Sequence, residues 1–188
     1  MSSQGDGHLY WTIMQVDQWH LLIAATDQGL CFLQFLSQPP SGYTEDEAWT
    51  DLWRWSRKHA PKLEGVSQKE LLQPYMEQVA QFLRGEREAF TVPLDLRGTP
   101  FQRKVWEALL QIPHGHTRNY SEVAASLDQS RAVRAVGTAI GANPVLVVVP
   151  CHRVLGKNGA LTGYRGGLPN KESLLRLEKS LGIASNRQ

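Results

Sequence analysis

One stretch constrains this chain more than any other: Val145-Leu-Val-Val-Val-Pro150-Cys151-His152-Arg153-Val154. Its apolar run offers no polar face to water, so it must lie buried. Its length and β-branched content predict a strand that ends at Pro150. The next two residues are a thiol and an imidazole, which brings a nucleophile and a base to one buried point. A free cysteine also packs well as a small hydrophobe, so this pair by itself leaves packing and chemistry both open.

Composition narrows the setting. A chain of 188 residues with 41% hydrophobic content can bury a substantial core in one domain or two small ones. Two isolated cysteines, Cys31 and Cys151, make neither a disulfide framework nor a paired-cysteine zinc site, which fits a reducing compartment. Residues 1–8 are polar and glycine-rich, unlike a signal peptide, and no apolar run approaches the ~20 residues of a membrane helix. The expectation is a soluble, cytoplasmic protein with no membrane contact. Charge is uneven: residues 1–97 carry 8 Lys/Arg against 13 Asp/Glu, a net of −5, whereas residues 98–188 carry 12 against 5, a net of +7. The basic half suits nucleic acid. The division predicts two domains, 1–97 and 98–188.

In the first half, aromatic and β-branched runs at Tyr10–Met14, His20–Ala25 and Gly29–Phe35, separated by short polar turns, predict an antiparallel meander with Cys31 as packing. A loop follows at residues 39–42. A helix over Asp46–His59 carries Trp49, Trp53 and Trp55, the first two on one face, read as core anchors rather than a base-stacking platform, and a second helix spans Leu71–Leu83. Phe90–Gly98 is expected to add a last strand and the linker.

In the second half, Thr99 caps a helix over Pro100–Gln111. His114 and His116 lie close together but lack a third ligand, so this loop is read as solvated, without metal. Asn119 and Glu122 form a capping box for a short helix over Tyr120–Leu127. After a turn with Ser130 as cap, a helix over Arg131–Gly141 turns Val133, Val136, Ala139 and Ile140 inward. Arg131, Arg134, Thr138 and Gly141 take its other face. Two short helices with a basic second member have the spacing of a DNA-binding helix-turn-helix. Downstream, Gly156, Gly159, Gly163, Gly166 and Gly167 make a loop that admits close backbone approach. A helix over Asn170–Leu181, stopped at Gly182, carries Glu178.

A thiol with an ordinary pKa near 8.5 is only a few per cent ionised at neutral pH, so Cys151 needs a base, and His152 is adjacent. Neighbours in an extended strand face opposite ways, so the two cooperate only if Pro150 breaks the strand or a water relays the proton. Glu178 is the candidate to hold the imidazole tautomer.

Ile140-Gly-Ala-Asn-Pro144, Pro150-Cys-His-Arg-Val154, Gly163-Tyr-Arg-Gly-Gly-Leu168, Lys171-Glu-Ser-Leu-Leu175 and Glu178, in that order, resemble the O6-alkylguanine-DNA alkyltransferase family. The resemblance covers about Phe90–Leu181. It implies a DNA-repair transferase that binds the minor groove of double-stranded DNA, flips out O6-alkylguanine and moves the alkyl group irreversibly to its own cysteine. By position, Cys151 is the acceptor, His152 the base acting through water, Glu178 its partner, and Asn143 the brace around the cysteine. Tyr120, Val154, Tyr164 and Arg165 would line the pocket, Arg165 standing where some relatives carry a small residue. Arg134 would fill the gap left in the base stack, with Arg131, Thr138, Gly137, Gly141 and Ser121 along the DNA. The zinc site of some relatives has no counterpart in Cys31, His8 and His20, so neither metal nor cofactor is expected. The expected architecture is α/β (α+β): a ribonuclease-H-like antiparallel sheet with helices, then a mainly helical DNA-binding domain, as a monomer. The rivals are a helix-turn-helix regulator or a non-catalytic binder of alkylated DNA, in which the cysteine is structural, and a Cys-His hydrolase, which would turn over.

Overall fold

The computed structural model describes residues 7–36 and 45–185; the loop expected at residues 39–42 and the side chain of Trp49 lie outside the described residues. The first half forms strands β1 (His8–Val16), β2 (Trp19–Thr26) and β3 (Gly29–Phe35), helix α1 (Glu45–His59), strand β4 (Glu64–Ser67) and helix α2 (Lys69–Leu83). The sheet order is β3-β2-β1-β4, with the first three strands antiparallel and β4 parallel to β1. The meander thus holds as expected, while β4 adds an edge strand. Its sequence, Glu64-Gly-Val-Ser67, has one β-branched apolar residue and no alternation to signal a strand.

Because side chains alternate along a strand, β2 serves two cores. Leu21, Ile23 and Ala25 join the larger cluster, which extends through α2 into the second half. Leu22 and Ala24 face a smaller one with Leu9, Trp11, Phe32, Leu52 and Trp55. The tryptophan that anchors α1 is Trp55, 7% exposed and 5.4 Å from the Phe32 ring, whereas Trp53 is 49% exposed, contrary to expectation. α1 docks by the face that carries Leu52 and Trp55.

The second half supplies α3 (Pro100–Leu110), β5 (Arg118–Asn119), α4 (Tyr120–Ser126), α5 (Val133–Gly141), β6 (Val154–Leu155) and α6 (Leu168–Ser185). Thr99 caps α3 as expected and completes a capping box there with Gln102, and Asn119 forms the expected capping box on α4. Ser130 does not cap α5; Ala132 precedes that helix without a side-chain bond, and α6 runs on through Gly182 to Ser185. Among the described residues, no helix is long and apolar enough to cross a membrane.

The apolar run at Val145 is not a strand. Val145 alone bridges β3, at Leu33, with Leu33 N donating to Pro144 O and Leu146 N donating to Leu33 O, both at 2.9 Å. The chain then folds on itself: Val149 N donates to Val145 O at 3.0 Å and Val148 N to Leu146 O at 2.8 Å, around Val147 at φ 70°. A β-branched residue in that region costs on the order of 1–3 kcal/mol, which the packing of five buried side chains outweighs. Periodicity could not separate this turn from a strand, because a run buried on all sides has no alternation in either conformation. The linker behaves similarly: Leu94 makes a single bridge to Leu30 in place of the strand expected over Phe90–Gly98. Together, residues 93–95 and 144–146 cover the open edge of β3.

Candidate active site and nucleic-acid interface

The turn delivers Cys151. Pro150, at φ −82° and ψ 59°, closes an inverse γ-turn in which Cys151 N donates to Val149 O at 2.8 Å, and Cys151–Arg153 continue as one 3-10 turn. Asn143 braces the arrangement. Its Nδ2 donates to Val149 O at 2.9 Å and to Cys151 Sγ at 3.1 Å, while its Oδ1 accepts from Val145 N at 2.9 Å. Burial pushes the Cys151 thiol up to about 11, against the Asn143 hydrogen bond and the positive charge of Lys171. The sulfur is therefore a thiol at neutral pH, and attack from it requires removal of the proton.

His152 is fully buried, with Nε2 2.7 Å from Glu178 Oε1 and Nδ1 without a protein partner. Burial raises the Glu178 carboxyl, but the hydrogen bonds and charges of His152 and Arg153 outweigh it and hold the group at about 2. Glu178 is therefore ionised and accepts only, so the imidazole proton sits on Nε2 and the free lone pair on Nδ1. Burial lowers the His152 pKa below the ordinary imidazole value despite Glu178, so the ring is neutral and basic at neutral pH. With Nε2 on Glu178 and Nδ1 unpartnered, neither ring nitrogen bonds Sγ directly.

Arg153 completes the cluster. Its Nε lies 3.1 and 3.0 Å from the two Glu178 oxygens, its NH2 3.0 Å from Oε1, and its NH1 donates to Ile112 O at 2.6 Å. Gly115 N donates to Glu178 Oε2 at 3.0 Å, so the loop between His114 and His116, expected only as a solvated connection, holds the carboxylate. Among the described residues, no group of three or more His, Cys, Asp or Glu could hold a metal ion.

These shifts share one sign. His152, depressed from 6.5, leaves the unfolded chain binding a proton that the folded chain refuses, so stability is full above about pH 6.5 and falls below it. Glu178, depressed from 4.5, adds a loss that grows as pH drops from there through about 2. Denaturant midpoints at about pH 8, 5.5 and 3.5 should fall in that order; equal midpoints would contradict the assignment.

Strands β5 and β6 pair in parallel, Arg118 with Val154 and Asn119 with Leu155, and so set Tyr120 beside the segment that follows the cysteine. Tyr120 Oη donates to Thr162 O at 3.4 Å and packs near Gly137 of α5 and Gly163. The Tyr164 hydroxyl is buried without a protein partner, and its pKa is raised well above the ordinary value by burial and by Cys151 and Glu178. A Cβ on Gly166 would lie 2.6 Å from the Tyr164 ring and 2.7 Å from Phe35, so glycine there is a packing requirement. Lys171, fully buried, ties the loop down: Nζ donates to Val154 O at 2.6 Å, Thr162 O at 2.8 Å and Gly163 O at 3.4 Å. Arg165, by contrast, is exposed and lines a separate cleft with α1 and Arg97.

On α5, Arg134, Thr138 and Gly141 are exposed along one face, with Val136, Ala139 and Ile140 buried on the other. Thr138 Oγ1 donates to Arg134 O at 3.1 Å, and a Cβ on Gly141 would meet nothing within 4 Å. Ser121 and Arg131 are exposed at the start of α4 and in the turn before α5.

Residues 100–180 match the DNA-binding domain of 6-O-methylguanine DNA methyltransferases, and residues 9–96 match the ribonuclease-like domain of the same proteins. The chain belongs to this family. It is 47% identical over 171 residues to the inducible methylated-DNA–protein-cysteine methyltransferase of Bacillus subtilis, covering 91% of this chain and 90% of that one. It is 38% identical to the corresponding enzyme of Methanosarcina acetivorans, covering 92% and 99%. Among solved structures, Mycobacterium tuberculosis OGT in complex with DNA is 36% identical, with a TM-score of 0.72 over 92% of this chain and 94% of that one. DNA is thus the partner of the second half of this methyltransferase-family chain.

Within that family frame, sequence reasoning missed two residues. Arg153 was legible only as part of a motif, though an arginine beside Cys-His and a distant buried glutamate is a charge balance that could have been sought. Lys171, in an otherwise apolar helical stripe, was the stronger clue, since a fully buried lysine needs several acceptors.

Proposed function

We propose that this chain repairs DNA by transferring an alkyl group from O6-alkylguanine to Cys151, once per molecule. The observation that carries it is the Glu178–His152 bond beside a buried thiol: a fixed carboxylate leaves a neutral lone pair at Nδ1 next to a sulfur that must lose a proton. A water passes the Cys151 proton to Nδ1. Sγ then attacks the alkyl carbon, the S–C bond forms as the C–O6 bond breaks, and the guanine takes up a proton and is restored. The thioether has no leaving group the site can reactivate, so the reaction stops at one event. Asn143 steadies the sulfur; Val154, Tyr164 and Tyr120 face the flipped base. Arg165, which lines the separate cleft with α1, stands outside this group.

Arg134 takes the space of the flipped base in the stack, and Arg131, Thr138, Gly137, Gly141 and Ser121 follow the minor groove. Small residues there let the helix come close. We assign 98–188 as the DNA-binding and transfer domain and 1–97 as a structural domain, in accord with the ranges of the two family matches. We assign the active form as a cytoplasmic monomer working without metal or cofactor.

The test uses a duplex with O6-methylguanine labelled in its methyl group. Label should move to the protein up to one per chain, and Cys151→Ala should bind the duplex but take up none. Turnover beyond one per chain would favour a hydrolase, and binding governed by base sequence with no label transfer would favour a regulator.

A further inference from the structure

We infer that the cleft between α1 and the end of α5 is a phosphate-binding subsite that holds the backbone of bound DNA from the acidic half of the chain. This rests on DNA being the partner and extends the interface beyond the helix-turn-helix.

The cleft, about 220 Å³, is lined by Arg54, Lys58, Arg97 and Arg165, with His59 and a single carboxylate, Asp51. Arg54 and Lys58 are four apart on α1 and share a face. Arg97 is fixed at the rim: Nε donates to Asp95 Oδ2 at 2.8 Å and NH1 to His59 O at 3.3 Å, which also caps α1. The pKa of His59 is lowered by partial burial and by the positive charges of Lys58, Arg165 and Arg97, which converge on it. The Arg54–Asp51 pair, at 3.0 Å with side chains 75% and 60% exposed, contributes little in water, so Arg54 is free to exchange Asp51 for a phosphate.

Two features identify the anion as DNA. Ala142, the first residue past α5, lines the cleft, so the exposed Arg134–Thr138–Gly141 face of that helix leads into it. Arg165 follows Tyr164, so the cleft also abuts the loop that walls the pocket. A strand that lies on α5 and sends one nucleotide toward Tyr164 passes its backbone across this rim. The first half is net acidic, yet three of its eight basic residues line this cleft. A phosphate seated here is gripped by both halves at once, without reading any base.

The test is the salt dependence of binding to an undamaged duplex, which needs no alkyl transfer and so separates this inference from the proposed activity. Each phosphate contact contributes about 0.9 to the slope of log K against log salt. For the full chain carrying Arg54→Gln and Lys58→Gln, the slope should be shallower by about one to two, with affinity at low salt reduced roughly 3- to 10-fold. Melting temperature reports folding; should the double variant melt early, Lys58→Gln alone is read the same way, with a change of about one. An unchanged slope overturns the inference. So does protection of the wild type by inorganic phosphate, lost in the variant, with an unchanged duplex slope, because the cleft would then take free phosphate.

Discussion

Replacing Glu178 with alanine should lower folding stability by about 3–5 kcal/mol and abolish alkyl transfer together. The carboxylate is 1% exposed and accepts from His152, from two nitrogens of Arg153 and from Gly115 N. Without it, the Arg153 guanidinium keeps Ile112 O and loses its counter-charge in a buried site, which is the costly way to break an ion pair. The imidazole also loses the acceptor that holds its proton on Nε2, so the lone pair no longer stays at Nδ1. Glu178→Gln retains volume and an acceptor oxygen but not the charge, and should recover part of the stability and little of the transfer rate. Urea unfolding read beside single-turnover transfer checks this. A Glu178→Ala protein within about 1 kcal/mol of wild type would show that the cluster does not hold the site.

Arg134→Ala should slow transfer from duplex DNA about 10- to 100-fold while leaving transfer from free O6-methylguanine within about twofold. Flipping a base costs a few kcal/mol of stacking and pairing, and each 1.4 kcal/mol no longer offset is a factor of ten. Arg134 is exposed on the outer face of α5, away from the buried Cys151, so truncation should not disturb the thiol. The free base needs no flipping, and the ratio of the two losses isolates that step. Equal losses on both substrates would remove Arg134 from base displacement and place its effect on the transfer site itself.

What was legible in the sequence followed the strength of local signals. The meander, the cap at Thr99, the capping box at Asn119 and the buried stripe of α5 each rest on a period or a side-chain bond written within a few residues, and the structure keeps them. Val145–Val149 was legible as buried but not as a turn, since a positive φ at Val147 is imposed by docking onto β3 and leaves no mark in composition. The edge strand β4 was silent for the opposite reason: its pairing is with backbone of β1, and one valine in four residues gives no pattern. At the site, adjacency of Cys151 and His152 suggested direct contact or a relay; the Glu178 bond and the unpartnered Nδ1 show no direct contact, which supports the proposed relay. Arg153 and Lys171 went unread because their partners are carbonyls and a carboxylate brought together only by the fold.

The central claim is that one particular sulfur ends the reaction carrying the alkyl group, and the chain contains its own control. Cys31 is also buried and free, with a thiol pushed far up by burial, and its Sγ donates to Ala24 O at 3.4 Å inside the sheet. Peptide mass analysis of the wild-type protein after reaction with an excess of O6-methylguanine duplex should find one added methyl group per chain, all of it on the Cys151 peptide, with Cys31 unmodified. Methylation shared with Cys31, or none on Cys151 while the duplex is repaired, would contradict it.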